Sequence, residues 1–126
     1  MKKLFFCNIV FFLLQPLLFA KEFPPPEIPS IVHKGKEYRA SYRMGLYGGS
    51  GEVDVIEESE DGMIRLSVIK IYSHLYIPFK ERVEQFVYIS KMELADDNTI
   101  RIYNEIGQVF DLNLTDNRVK IISSGK

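Results

Sequence analysis

Ten consecutive residues, EYRASYRMGL at positions 37 to 46, change character at every step. Tyr38, Ala40, Tyr42, Met44 and Leu46 fall on one side of an extended chain. Glu37, Arg39, Ser41, Arg43 and Gly45 fall on the other. A side-chain period of two sustained over this length predicts a half-buried β-strand. The next stretch, YGGSGEVDV, crowds three glycines into residues 48–51 and then alternates again. A phosphate cradle would need G-x-x-x-x-G-K-[ST], or G-x-G-x-x-G opening a helix, and neither is present. The glycines therefore predict a hairpin. A two-residue turn at Gly48-Gly49, where glycine supplies positive φ without steric cost, sets Met44 against Val53 and Tyr42 against Val55. It also sets Arg43 against Asp54 and Arg39 against Glu58, so that like polarity meets like and opposite charges meet.

The pattern recurs. Asp61-Gly62 signals a hairpin that places Glu58 opposite Arg65 and Val55 opposite Val68, with Glu58 between Arg39 and Arg65. Asn104-Glu105-Ile106-Gly107 reads as a three-residue loop with a bulge, pairing Ile102 with Phe110, Ile100 with Leu112 and Arg101 with Asp111. A turn at Asp116-Asn117 pairs Leu114 with Val119 and Leu112 with Ile121. One face of this last meander then collects Ile100, Ile102, Phe110, Leu112, Leu114, Val119 and Ile121. Between the two meanders, VEQFVYISKM is rich in β-branched and aromatic residues and reads as a strand. KERVEQF would also suit a helix, with Phe79, Val83, Phe86 and Val87 on one face, so residues 79–92 stay open between strand and helix. The expectation is an all-β fold: an antiparallel meander of about seven strands forming a small curved sheet, sandwich or partial barrel, after an N-terminal signal peptide.

That leader is MKKLFFCNIVFFLLQPLLFA, with Lys2 and Lys3 ahead of an apolar run from Leu4 to Ala20. Cleavage after Ala20 is expected, although Leu18 is larger than the residue favoured there; the alternative is an uncleaved anchor. Cys7, the one cysteine, lies inside the run and lacks the small residues that precede a lipidated cysteine. A mature chain would carry no disulfide, thiolate nucleophile or cysteine metal site. Removing residues 1–20 takes 126 residues to 106, enough for one small core. Lys2 and Lys3 leave with them, so 16 basic residues become 14 against 17 acidic, a net charge of −3. This mild acidity offers no overall electrostatic case for nucleic acid or for an anionic membrane surface. Residues 21–30, KEFPPPEIPS, read as a Pro-rich linker or a tail lying on the domain, and 31–126 as a single β domain.

Candidate chemistry is sparse. His33 and His74 are the only histidines; His74, in SHLY, has no ligand-spaced carboxylate or histidine near it in sequence and reads as a surface or loop residue. No serine sits in a nucleophile-elbow pattern. EESED at 57–61 lacks calcium-loop spacing and reads as a solvated turn. NLT at 113–115 matches a glycosylation acceptor but is strand-like. Seven tyrosines occur without any tryptophan; packing is the first reading of them, and an aromatic-lined ligand face the second.

Two stretches resemble an exported bacterial family, the domain of unknown function 3108. GKEYRASYRMGLYGGSGEVDV is similar to its opening, a strand with aromatic residues running into a glycine turn and a G-E-x-x-V strand. HLYIPFKERVEQFVYISKMEL is similar to a later aromatic-Pro element followed by a strand. The likeness covers roughly residues 35–95 and implies an envelope protein with a largely antiparallel β fold and no assigned activity; no catalytic residues come with it.

The expected function is a non-enzymatic binding or carrier domain of the cell envelope for an apolar ligand, periplasmic or secreted, without cofactor or metal. The alternative is a protein–protein interaction module tethered by the Pro-rich segment. The expected partners are a lipid or other apolar ligand, or an envelope protein, with membrane contact only through an uncleaved leader. The candidate ligand-binding residues are Tyr72, Tyr76, Ile77 and Phe79. With Leu75 they crowd around Pro78, which cannot donate to a sheet ladder. Such a segment must plug the open end of the sheet, the favoured expectation, or form an exposed patch.

Overall fold

The computed structural model describes residues 27–125; the expected signal peptide and residues 21–26 of the linker lie outside the described residues. Eight strands form two antiparallel sheets of four, each in chain order, and they do not close into a barrel. The first holds β1 (Ile31–His33), β2 (Lys36–Met44), β3 (Gly48–Glu58) and β4 (Ile64–Leu75). The second holds β5 (Ile89–Asp96), β6 (Thr99–Asn104), β7 (Val109–Asn113) and β8 (Val119–Ser123). A single helical turn, α1 (Arg82–Gln85), lies in the connection between them. Both sheets turn one face to a shared core. Tyr38, Val53, Val55 and Ile71 meet Ile89, Ile100, Ile102, Phe110 and Leu112 in one cluster. Val53, Ile100, Ile102 and Leu112 are wholly inaccessible to solvent.

The hairpin of β6 and β7 has the expected register, with Ile102 opposite Phe110, Ile100 opposite Leu112 and Arg101 opposite Asp111. Its loop closes by Gly107 N–H donating to Asn104 O, and Gly107 takes φ 85°. The other turns differ from expectation. β2 and β3 are joined through Gly45, Leu46 and Tyr47, not through Gly48-Gly49, and Met44 faces Gly49, Tyr42 faces Gly51 and Arg39 faces Asp54. The displacement is even, so every side chain keeps its face and alternation alone could not detect it. Neither Gly48 nor Gly49 has positive φ. Arg39 accordingly pairs with Glu37 on its own strand, Arg43 with Glu52, and no Arg39–Glu58–Arg65 ladder forms.

The β3–β4 loop is one residue longer than a two-residue turn. Ser59 and Met63 bracket Glu60, Asp61 and Gly62, with Gly62 at φ 85°. This odd shift sets Glu57 against Arg65 and Asp54 against Val68, and turns Ile64, Leu66 and Val68 outward, where all three are exposed. The β7–β8 loop is also longer than expected: Leu112 faces Val119, and Ile121 is exposed instead of joining the core. Asn113 of the NLT stretch accepts from Thr115 N–H and from the Asn98 amide, which ties the turn locally. The strand expected to begin near Val83 begins at Ile89.

Candidate functional site

The site is built on a β-bulge. The β3–β4 register shifts between Gly51 and Glu52, leaving Ile71 without a partner on β3. Such an insertion reverses the phase of the strand. Before it, Ile69 faces the core; after it, Tyr72, His74 and Tyr76 do, while Leu75 and Ile77 point away. Glycine makes room for the rings opposite. A Cβ at Gly51 would stand 2.3 Å from the Tyr72 ring, and one at Gly49 2.0 Å from the Tyr42 hydroxyl. Gly49 and Gly51 lie within β3 and not in the turn; they are the floor under two tyrosines.

On that floor stands an aromatic layer. Tyr72 stacks on Phe110 across the sheets, with centroids 5.4 Å apart and planes 13° apart, and its hydroxyl donates to Val87 O. The Tyr42 hydroxyl and His74 Nε2 share a 2.6 Å hydrogen bond. Phe86 and Tyr88, both buried, pack on Tyr42 from the inter-sheet connection. Glu105 clamps Tyr88 in place, its N–H donating to Tyr88 O and its carboxylate accepting from Tyr88 N–H, each at 3.0 Å. Burial pushes the Tyr42 hydroxyl well above the ordinary tyrosine range, with a further push from neighbouring Tyr76; burial likewise raises Tyr72. Both phenols stay neutral at physiological pH.

Above this layer two loops meet at one end of the first sheet. Tyr76 N–H donates to Tyr47 O at 2.8 Å, tying the β2–β3 turn to the segment after β4. Their side chains are apolar and in water: Leu46, Tyr47, Leu75 (81% exposed), Ile77 and Phe79 (106%). All of these but Leu75 line an open cleft of about 250 Å³, together with Tyr76, Pro78, Lys80 and Arg82. Its backbone is held firmly. The Gln85 amide donates to Ile77 O at 3.1 Å and accepts from Ile77 N–H, so α1 staples the loop from beneath. Phe79 has φ 66°, a conformation costly for a bulky residue, and yet its ring touches solvent on all sides.

The four candidate residues thus divide. Tyr72 and Tyr76 serve the plug, and Ile77 and Phe79 the exposed patch. Leu46 and Tyr47 complete the patch but read in sequence as strand and turn. The aromatic layer also recruits Tyr42, His74, Phe86 and Tyr88. His74 is not a surface residue but half-buried within β4. Only knowledge of the bulge would have brought its ring to Tyr42. A larger open cleft, about 580 Å³, runs along β2 beside Glu27, Ile28 and Tyr88. Two of its polar groups are already engaged, Arg39 by Glu37 and Ser41 by Asp54, whereas the tip offers exposed apolar side chains and is the better candidate for an apolar ligand. Among the described residues no three His, Cys, Asp or Glu side chains gather as metal ligands, and no helix is long and apolar enough to cross a membrane. No protein-family model, curated protein or solved structure matches the chain.

Proposed function

We propose that this protein is a non-enzymatic binding domain of the cell envelope, exported by its N-terminal apolar run, that engages an apolar ligand through the tip at residues 46–47 and 75–79. One observation carries the reading: four large apolar side chains, Leu46, Tyr47, Ile77 and Phe79, are exposed around one cleft, on backbone held by Gln85 and by the Tyr76–Tyr47 hydrogen bond. Scattered surface hydrophobics need no explanation, but a clustered and rigid set does. Tyr38, Val53, Val55 and Ile71 are spent on the core against Ile89, Ile100, Ile102, Phe110 and Leu112, whereas the tip side chains are not. The histidine of the aromatic layer, His74, is engaged at Nε2 by the Tyr42 hydroxyl. The family resemblance of residues 35–95 points the same way, to an envelope β protein without assigned chemistry.

A photo-reactive benzoylphenylalanine placed at Phe79 in intact cells tests this. The expected result is a discrete adduct in the envelope fraction that disappears when Ile77→Ala is added. Recovery of the protein with the cytoplasm, or an adduct indifferent to Ile77, would overturn it. A protein partner is the second reading, with residues 21–30 as tether. It is favoured by β4, an edge strand whose outward Ile64, Leu66 and Val68 are exposed.

A further inference from the structure

We infer that the tip inserts into the surface of an anionic lipid bilayer. This rests on the binding reading above and names what the tip binds; it gives the domain a membrane contact independent of the one an uncleaved N-terminal run would supply.

Shape is the first argument. Phe79 and Tyr47, with Leu46 and Ile77, are exposed on two loops around an open cleft. A protein partner would need a surface cut to match them; a bilayer receives clustered apolar side chains without one. The chemistry of the patch is graded as an interface requires. Phe79, Ile77 and Leu46 supply aliphatic and aromatic mass, Tyr47 an amphipathic ring. Charge is the second argument. The only charged residues lining the cleft are Lys80 and Arg82, both cations. The Arg82 guanidinium lies over the Tyr76 ring, 5.5 Å from its centroid, which keeps it at the base of the tip where a headgroup phosphate would sit. Glu81 and Glu84 are exposed but do not line the cleft. Rigidity is the third. A loop that had to order on insertion would lose affinity to entropy. Here Gln85 already bonds both backbone groups of Ile77 and the carbonyl of Lys80, on either side of Phe79.

The chain has no tryptophan, so Phe79→Trp creates a single reporter at the tip. The full-length protein is mixed with phosphatidylcholine vesicles containing roughly one-third phosphatidylglycerol, the anionic component being what Lys80 and Arg82 would sense. Tryptophan emission should shift to the blue and be quenched by bromine-labelled acyl chains. Ile77→Trp serves as a second reporter. Leu66→Trp, equally apolar but on the outward row of β4, should stay in water even when the N-terminal run tethers the chain to the vesicle. Lys80→Glu with Arg82→Glu should weaken insertion by roughly thirtyfold or more, since each basic residue near an anionic surface contributes about fivefold. Three results would overturn the inference: tip tryptophans unquenched on vesicles, equal quenching on neutral and anionic vesicles, or a blue shift without lipid that grows with protein concentration, which would mean a second copy covers the tip. If the vesicle result fails while the Phe79 cross-link to a non-lipid species persists, the binding reading stands and only the bilayer is wrong. Failure of both removes the binding reading as well.

Discussion

Replacing Gly51 by alanine should destabilise this protein, although glycine inside a strand is ordinarily a weakness. In a neutral setting the change would stabilise by roughly 0.5–1 kcal/mol, because alanine loses less backbone freedom on folding. Here the new methyl would meet the Tyr72 ring at 2.3 Å and its hydroxyl oxygen at 2.5 Å. That ring cannot withdraw freely, being stacked on Phe110 and bonded to Val87 O. If it stays, overpacking costs about 1–3 kcal/mol. If it leaves, it loses an aromatic stack of about 0.5–1.5 kcal/mol and a hydrogen bond of similar size. At its midpoint of about 2 kcal/mol either route outweighs the backbone gain, and a net loss of about 1 kcal/mol would lower Tm by roughly 4–8 °C in a domain of this size. Denaturant melts followed by circular dichroism measure it. The decisive form is a double-mutant cycle, in which Gly51→Ala is repeated in a Tyr72→Leu background and should there become neutral or stabilising. An equal penalty in both backgrounds, or a Gly51→Ala protein as stable as its parent, would refute the view that the glycine exists to seat the ring.

Phe86→Ala and Phe79→Ala should behave as opposites: the first, in the buried plug, should cost about 3–5 kcal/mol, whereas the second, in open water, should leave the melt within about 0.5 kcal/mol of the parent. Thermal melts of the two variants side by side check this, and a strongly destabilised Phe79→Ala would mean the tip is packed after all. The Arg101 guanidinium, bonded to both oxygens of Asp111 at 2.8 and 3.0 Å, holds that carboxyl below its usual range. Its stabilisation is therefore present above the unfolded carboxylate pKa of about 3.9 and lost as pH falls through the lower folded value. Asp111→Asn should cost up to about 1 kcal/mol at neutral pH, a deficit that closes towards pH 2; a deficit constant across that range in melts at several pH values would rule the ion pair out as its cause.

Strand chemistry is local, and so it was readable from residue order. Alternation from Tyr38 to Met44, the Asn104–Gly107 loop and the apolar rows of residues 100–112 each follow from contacts between near neighbours, and these elements form where expected. The even slip at the first hairpin was hidden because alternation repeats every two residues; only the ring of Tyr42 over Gly49, a cross-strand fit, chooses among registers of the same parity. The bulge at Ile71 was hidden for a related reason. It is decided by which side chains fill the space between sheets, and it sends Tyr72, His74 and Tyr76 into the plug and Ile77 out of it. Sequence placed Ile77 and Phe79 in one segment around Pro78 and could offer plug or patch for the whole of it. Tertiary structure divided that segment residue by residue, because the space over Gly49 and Gly51 admits two tyrosine rings, and Phe86 and Tyr88 close it before Phe79 can enter.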